Sequence, residues 1–360
     1  MAGNIDLDQV REKIDALDRQ LLTLISERAG LAQDVAQIKQ TDNDAVFYKP
    51  EREAEVLRRV IDRNPGPLTN ESIRFLFREI MSACLALEQP MKIAYLGPQG
   101  TFTQLASHKQ FGHAAKTIDF ASISDIFRAV SASDVNFGVV PVENSTEGIV
   151  SQTLDMFVGS SLQICGEVEL RIHHHVMSKS NSLVDIDIIY AHQQSFAQCR
   201  QWLESHLPGI KQVSVSSNAE AARMAAENNS AAAIGSETAS EIYGLTVLVS
   251  KIEDTPDNTT RFLVLGRDPV KPSGKDKTSL LLSTTNQSGS LFDLIQPFAL
   301  NGVSMTRIES RPSRQINWNY LFFVDIEGHI EDDNVAKAIA EVNAKAATTK
   351  VLGSYPAALS

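Results

Sequence analysis

The most constraining feature of this chain is an apolar seam near its start. Apolar residues recur in alternating steps of three and four from Leu7 to Ile38, and Arg28 is the single interruption. This spacing predicts one helix of roughly 50 Å, at a rise of about 1.5 Å per residue. A seam of that length cannot be buried inside a small helical domain, so we expect the helix to pair with a second copy of the chain.

Two more helices are predicted before residue 90. Pro50 followed by Glu51 and Glu53 is typical of a first helical turn. Thr69 is a good N-cap for a third helix, whose apolar stripe runs to Leu87. The first ninety residues or so are therefore predicted to be all-helical.

A guanidinium on an apolar seam, such as that of Arg28, needs an anion, because burying it unpaired would be costly. Two interpretations stay open. The cations of this region cover the helix surface or pair with nearby glutamates, or they line a pocket for a small dicarboxylate within a helical dimer. The charged residues concerned are Arg11, Arg28, Lys39, Arg52, Glu53 and Glu88.

Length and charge exclude several classes of protein. A chain of 360 residues is long enough for two or three domains, and its formal charge of -11 argues against nucleic acid or an anionic membrane as a partner. We expect neither a membrane span nor a signal peptide. Cys84, Cys165 and Cys199 are odd in number and far apart, which favours a reducing compartment, here the cytoplasm, over a disulfide framework or a zinc site.

From Met91 onward, short strands alternate with helices, and polar residues follow the strands. Gly97 opens a turn leading to Thr101 and Thr103, and the acidic loop 253–257 precedes the strand that starts near Thr260. Polar groups at several strand ends predict a cleft beyond the carboxyl ends of an open α/β sheet. Capping and turn formation remain the alternative for each cluster taken singly.

The run from His173 to His175 does not predict a metal site. Consecutive residues of a strand point to opposite faces, so the three imidazoles cannot converge on one ion.

The last eighty residues or so show the order strand, helix, strand, strand, helix, strand. This order predicts an α+β ferredoxin-like sandwich, a fold with many uses. Two loops carry polar residues, at 288–291 and 309–312. The alternative is that these polar residues only form turns and cap helices.

The N-terminal pattern resembles the all-helical chorismate mutase domain, an intertwined dimer. The resemblance lies in residues 10–18, Glu27 with Arg28, Lys39, and Arg52 with Glu53. It implies that Arg28, Lys39, Arg52 and the partner chain's Arg11 hold the two carboxylates of chorismate. Glu53 would bind the ring hydroxyl, and Lys39 and Glu88 the ether oxygen. The rearrangement is pericyclic, so its rate depends on positioning and charge stabilisation.

The middle region resembles prephenate dehydratase, a two-lobed α/β domain like a periplasmic binding protein. The resemblance lies in residues 97–103, 140–145, 243–245 and 260–262, and in His192 with Gln198 and Cys199. It implies a substrate between the lobes. Thr260 would act on the leaving hydroxyl and Arg261 would anchor a carboxylate. The remaining implied site residues are Thr101, Thr103, Glu143, Asn144, Ser145, His192 and Gln198.

The C-terminal region resembles the phenylalanine-binding ACT domain. The residues implied in binding phenylalanine are Gly289, Ser290, Leu291, Glu309, Ser310, Arg311 and Pro312. Together the three resemblances imply the bifunctional mutase and dehydratase of phenylalanine synthesis, inhibited by phenylalanine. The implied domains are residues 1–90, 91–268 and 278–360, with a linker at 269–277.

Neither reaction requires a cofactor, and the implied ligands are chorismate, prephenate and phenylalanine. The implied assembly is a homodimer or a dimer of dimers. Two alternatives stay open. One is a phenylalanine sensor without turnover. The other is a dehydratase whose mutase site has decayed, because Cys84 and Glu88 stand where serine and glutamine are usual in the best-known enteric members.

Glu88 gives a testable expectation for the mutase. A glutamate can donate a hydrogen bond to the ether oxygen only when it is protonated. We therefore expect the mutase rate to fall as pH rises, and Glu88→Gln to flatten the profile, measured as chorismate loss between about pH 5 and 8. A wild-type rate that is independent of pH over this range would contradict the expectation.

Overall fold

The structure is a computed structural model that describes residues 6–40, 48–284, 287–312 and 320–358. The side chains of Lys39 and Gln40 lie outside this description. In the described part of the chain, no helix combines the length and the apolarity needed to cross a bilayer.

Three helices form the N-terminal region, as predicted. They are α1 (Leu7–Gln40), α2 (Pro50–Asp62) and α3 (Asn70–Glu88). Thr69 is the N-cap of α3, and its side chain accepts a hydrogen bond from Ser72 N at 3.1 Å. The cap satisfies one of the free N–H groups of the first turn.

The apolar seam of α1 is exposed within a single chain. Leu7, Leu24 and Ile38 are 59%, 60% and 70% exposed, and most other seam residues are also exposed. Apolar surface of this extent on one helix is typical of an interaction face.

The chain divides into two compact units. The first holds α1, α3, the part of α2 from Arg59 onward, and residues 111–116. The second holds residues 50–58, 92–110 and 117–360, and contains all the sheets described below. Within the first unit, α1 packs against α3.

The first lobe of the second unit is built on a six-stranded sheet of order β2-β1-β3-β11-β5, with β4 added beside β3. β1 and β3 are parallel, whereas β11 runs antiparallel to both β3 and β5. The elements are β1 (Lys92–Leu96), α4 (Phe102–Phe111), β2 (Lys116–Phe120), α5 (Ile123–Ser131), β3 (Phe137–Asn144), β4 (Gly148–Ile149), α6 (Ser151–Gly159) and β5 (Gln163–Arg171), and β11 (Thr259–Gly266) returns later in the chain.

The second lobe lies between β5 and β11 in sequence, so the chain crosses out of the first lobe and back into it. Its sheet has the order β10-β6-β9-β7-β8. The elements are β6 (His175–Ser178), β7 (Ile188–His192), α7 (Gln193–Gln198), α8 (Arg200–His206), β8 (Lys211–Val215), α9 (Asn218–Ala226), β9 (Ala231–Gly235), α10 (Glu237–Tyr243) and β10 (Thr246–Val249).

The C-terminal region has the predicted β-α-β-β-α-β order, in an antiparallel sheet β13-β14-β12-β15. The first strand begins at Asp276, inside the segment predicted as a linker, because Asp276 already pairs with Pro356. The elements are β12 (Asp276–Thr284), α11 (Ser290–Leu300), β13 (Met305–Pro312), β14 (Tyr320–Glu327), α12 (Asp333–Lys345) and β15 (Thr348–Pro356).

The C-terminal sheet packs on the sheet of the first lobe. Phe323 and Tyr355 belong to the same buried cluster as Val140 and Leu263. The closest approach is at Gly353, where an added Cβ would lie 2.8 Å from the backbone nitrogen of Ile164 and would also collide with its carbonyl oxygen. Glycine is therefore needed at this position for the two backbones to meet.

Gly353→Ala should destabilise the protein by roughly 1–3 kcal/mol, because a methyl group has no room between the two strands. The measurement is the change in unfolding midpoint in denaturant. Gly159→Ala is the control, since a Cβ there meets nothing within 4 Å. Equal midpoints for the two variants would contradict the close approach.

Candidate active site

A cavity of about 440 Å³ lies between the two lobes. Its walls are strand ends and helix N-termini from both lobes, the arrangement predicted from the polar residues that follow the strands. The described side chains lining it include neither lysine nor arginine. The polar residues of the lining are Thr101, Thr103, Asn144, His174, His192, Gln194, Ser195, Gln198, Ser216, Ser217, Asn218, Ser236 and Thr260.

Thr260 and Asn144 form the polar pair on the first lobe's wall. They are register partners on β11 and β3. Asn144 Nδ2 donates to Thr260 Oγ1 at 2.7 Å. Because the hydroxyl oxygen of Thr260 accepts this bond, its own hydrogen can be donated to another group.

The amide of Asn144 is held in one orientation. Its Oδ1 accepts hydrogen bonds from the backbone N–H groups of Thr146 and Glu147, both at 3.0 Å. The amide nitrogen must then face the opposite way, where it reaches Thr260 and also Asn258 Oδ1 at 2.8 Å. The backbone turn at Thr146 and Glu147 thus orients the Asn144 amide so that its N–H group, and not its oxygen, faces Thr260.

A chain of hydrogen bonds continues from Asn258 to an imidazole. Asn258 is 2% exposed, and its Nδ2 donates to Gln198 Oε1 at 3.2 Å. The same oxygen lies 2.8 Å from His174 Nε2. An amide oxygen only accepts, so His174 carries its hydrogen on Nε2 and presents Nδ1 as an acceptor.

His174 is neutral at pH 7. Burial lowers the pKa of His174, against opposing effects of the hydrogen bond to Gln198 and of the Glu253 carboxylate. Its side chain is 1% exposed, and no described residue pairs with its Nδ1. The cleft therefore contains a buried, uncharged acceptor that the sequence alone did not identify.

Helix N-termini from both lobes line the cleft. Thr101 to Thr103 begin α4, and Ser217 caps α9 by accepting from Glu220 N at 3.0 Å. Free N–H groups and the helix dipole make such ends suitable for anions. They offer partial positive charge in a cleft that has no cationic side chain in the described lining.

His192 also lines the cleft. It is the N-cap of α7, where its Nδ1 accepts from Gln194 N at 3.3 Å. Its backbone N–H donates to Asn218 Oδ1 at 2.9 Å, and Asn218 Nδ2 donates to Ser195 Oγ at 2.7 Å. These bonds connect the starts of α7 and α9.

The structure gathers most, but not all, of the predicted dehydratase residues. Those that line the cavity are Thr101, Thr103, Asn144, His192, Gln198 and Thr260. Ser145 lies at the strand edge instead, where its Oγ accepts from Thr259 N at 3.0 Å.

Glu143 and Arg261 require a correction, since neither lines the cleft as we expected. They are register partners one residue away from Asn144 and Thr260, and strand alternation turns them to the opposite face of the sheet. Arg261 donates there to Glu167 Oε2 at 2.8 Å and Asp325 Oδ2 at 2.6 Å. Glu143 forms an ion pair with Arg307 at 3.1 Å.

The predicted mutase residues lie on the three N-terminal helices. On α1, Arg11 is exposed and Arg28 is partly buried, while Lys39 belongs to the helix but its side chain lies outside the described residues. Cys84 is buried and Glu88 is partly buried, one turn apart on α3. Within the second unit, Arg52 and Glu53 lie in the first turn of α2, and Arg52 forms an ion pair with Glu55 at 3.0 Å.

The predicted phenylalanine-binding residues lie at the start of α11 and the end of β13. Gly289 is the N-cap of α11, with a φ of 88° that favours glycine, and is followed by Ser290 and Leu291. Glu309 to Pro312 are the last residues of β13. Arg311 donates to Ser151 O at 2.7 Å, so its guanidinium already contacts α6 of the first lobe.

Comparisons with known proteins cover nearly the whole chain. The chorismate mutase type II family model matches residues 10–89, the prephenate dehydratase model residues 93–270, and the ACT domain model residues 278–344. A bifunctional chorismate mutase/prephenate dehydratase of Pseudomonas aeruginosa is 52% identical over the full length of both chains. One of Stutzerimonas stutzeri is 51% identical over 98% of each chain.

A solved structure supports the fold of the larger unit. Prephenate dehydratase from Arthrobacter aurescens in complex with L-Phe is 35% identical, with a TM-score of 0.69 over 74% of this chain and 89% of that one.

The neutral state of His174 predicts a pH dependence of stability. A group whose pKa is lower in the folded state keeps its full stability above its ordinary pKa of 6.5, and loses stability as pH falls below that value. His174→Asn should reduce this loss by up to about 1.4 kcal/mol per pH unit, measured by denaturant unfolding between about pH 5 and 8. His175, whose pKa burial also lowers, remains in the variant, so part of the loss persists. Identical pH profiles for wild type and variant would exclude a buried neutral His174.

Proposed function

The chain belongs to the family of bifunctional chorismate mutase/prephenate dehydratases, and from this premise we propose how its residues carry the two reactions. The cleft around Thr260 binds prephenate, and the N-terminal helices bind chorismate. The observation on which the dehydratase assignment rests is the Thr260 hydroxyl, held at 2.7 Å by Asn144 on the wall of the cavity between the lobes.

Dehydration of prephenate breaks two bonds. The ring hydroxyl leaves as hydroxide with the electron pair of its C–O bond, and solvent protonates it to water after it departs. The ring carboxylate leaves as carbon dioxide, and the electrons of its C–C bond complete the aromatic ring. The enzyme must stabilise the leaving oxygen and bind the pyruvyl carboxylate while the ring carboxylate is lost.

Thr260 stabilises the leaving oxygen by hydrogen bonding. A threonine hydroxyl is a weak acid, and the group that donates to it is the amide of Asn144, which cannot resupply a proton readily. Proton relay through this neighbour is therefore disfavoured. The donated hydrogen of Thr260 instead meets the charge that develops on the departing hydroxyl.

The carboxylates are bound by helix N-termini, with Thr101 and Thr103 on one side and Ser217 on another. This assignment replaces Arg261, whose guanidinium is engaged by Glu167 and Asp325 on the other face of the sheet. His192 and Gln198 orient the substrate. His174 accepts a hydrogen bond from the ring hydroxyl, which aligns the leaving oxygen with Thr260.

The mutase site forms between two chains. The exposed seam of α1 is the surface that the partner's α1 covers, because its leucines and isoleucines remain exposed in one chain. Arg28, Lys39 and Arg52, with the partner's Arg11, hold the carboxylates of chorismate. Glu53 binds the ring hydroxyl, and Glu88, beside Cys84, meets the ether oxygen. A monomer in sedimentation equilibrium would contradict this assembly.

Phenylalanine binds to the ACT domain and thereby inhibits the dehydratase. The Arthrobacter aurescens prephenate dehydratase was crystallised with L-Phe, and the two candidate segments of this chain, 289–291 and 309–312, lie at the start of α11 and the end of β13. By linkage, an effector that prefers a less active state inhibits, and bound substrate weakens its binding in return.

The domains are residues 1–90 for the mutase, 91–268 for the dehydratase and 276–360 for the ACT domain, with the linker ending at residue 275 because β12 begins at Asp276. The cytoplasm is the proposed compartment, since Cys84, Cys165 and Cys199 are all free and buried.

The test is to supply chorismate and follow chorismate loss and phenylpyruvate formation separately, with and without phenylalanine. Wild type should perform both reactions, and phenylalanine should suppress phenylpyruvate. Thr260→Ala should lower the dehydratase kcat by about 10²–10³, the usual cost of one oxyanion donor, while chorismate loss is unchanged.

Thr259→Ala is the matched control, because that hydroxyl contacts only the Asp257 carbonyl oxygen, at 3.4 Å, among the bonds described for it. Equal loss of both activities in Thr260→Ala would contradict separate sites. If wild type consumes prephenate but not chorismate, the mutase has decayed; if it binds phenylalanine without consuming either, it is a sensor.

A further inference from the structure

Four charged side chains connect the ACT sheet to the pair that faces the substrate. Glu143 and Arg261 are register partners in the dehydratase sheet, and Arg307 and Asp325 are register partners in the ACT sheet. Each arginine forms an ion pair with the carboxylate of the opposite sheet. Arg307 Nε lies 3.1 Å from Glu143 Oε2, and Arg261 NH1 lies 2.6 Å from Asp325 Oδ2. We refer to these four residues as the crossed charge cluster.

Arg261 and Asp325 form further hydrogen bonds besides the one between them. The Arg261 side chain is 12% exposed and also donates to Glu167 Oε2 at 2.8 Å and to Tyr355 OH at 3.0 Å. Ser279 Oγ donates to the second oxygen of Asp325 at 2.6 Å. Short charge-assisted bonds in a buried place fix the relative position of the two sheets at this point.

The cluster lies one residue from the catalytic pair. Glu143 precedes Asn144 on β3, and Arg261 follows Thr260 on β11, so each strand carries one residue into the cleft and its neighbour to the ACT sheet. A shift of either ACT strand at the cluster must therefore change the distance between Asn144 and Thr260 or the direction of the Thr260 hydroxyl.

The same ACT strand carries a candidate effector segment. Arg307 lies on β13, two residues before Glu309, which begins the segment expected to bind phenylalanine. β13 thus joins that segment to Glu143 without an intervening element.

We propose that Arg307 and Asp325 couple the two domains: they transmit the phenylalanine-bound state of the ACT domain through Glu143 and Arg261 to the Asn144–Thr260 pair, and are not themselves needed for the reaction. This inference rests on the proposed function, because it assumes that prephenate is converted in the cleft and that phenylalanine inhibits. Arg307 is the residue to change, because its partner Glu143 is 38% exposed and because Arg307, itself 12% exposed, makes none of the bonds that hold Arg261.

The experiment uses the full chain with Arg307→Gln. Phenylalanine binding is measured by calorimetry and the dehydratase rate is measured at increasing phenylalanine. We expect binding within about threefold of wild type, and a phenylalanine concentration for half inhibition raised about tenfold, within the usual range of allosteric coupling. The rate without phenylalanine should change by less than about threefold. Arg307→Lys, which keeps the charge, should restore part of the inhibition.

Arg200→Gln is the matched control, because it also removes one arginine ion pair, to Glu204 at 2.8 Å, but in the second lobe. It should be inhibited like wild type. Inhibition of Arg307→Gln at wild-type concentrations would overturn the inference and reduce the cluster to a domain contact. If Arg307→Gln lost both phenylalanine binding and inhibition, the inference would also be overturned, because the change would then act on the effector site itself. A wild-type protein that does not convert prephenate, or is not inhibited, would instead refute the proposed function itself.

Discussion

The alternation of side chains along β11 is the constraint on which the larger unit depends. Because neighbouring residues of a strand face opposite sides, Thr260 reaches the cavity while Arg261 reaches the ACT sheet. On β3, Asn144 and Glu143 divide in the same way. One face of these two adjacent strands therefore borders the cavity, and the other face contacts the ACT sheet. The substrate side needs a hydroxyl whose hydrogen is available, and the other side needs charges that hold two sheets together.

The anionic substrate that we propose for the cleft would be bound without a lysine or arginine in the described lining. The polar groups of the cleft's described lining are hydroxyls, amides and imidazoles, together with helix ends that carry partial positive charge. A buried arginine would need its own counter-anion, as Arg261 has in Glu167 and Asp325. Fixed dipoles avoid this requirement, and they do not need to reorganise when charge moves in the substrate.

Regular patterns made much of the fold predictable. The steps of three and four predicted α1, Thr69 predicted the start of α3, and the order of elements after residue 276 predicted the ferredoxin-like sheet. The positions of Thr260, Asn144 and His192 at strand ends were also sufficient to place them at the cleft. Such features are local, so a short window of sequence contains them.

The errors concerned the face of the sheet and contacts distant in sequence. Arg261 follows Thr260 directly, and the alternation that excluded a metal site at His173 to His175 would equally have excluded both Thr260 and Arg261 from one cleft. His174 was missed for a different reason. Its role depends on Gln198 and on burial by Phe102, and neither contact has a signal in the residues beside it.

The close approach at Gly353 limits how the ACT sheet can move. Where the two backbones already touch, the sheets cannot come closer, and tilting one sheet on the other would drive β15 into β5. Motion parallel to the contact plane avoids this collision, although it must change the bond between Arg261 and Asp325. A rearrangement that keeps this contact is therefore a shear, in which the strands of the two sheets slide past one another.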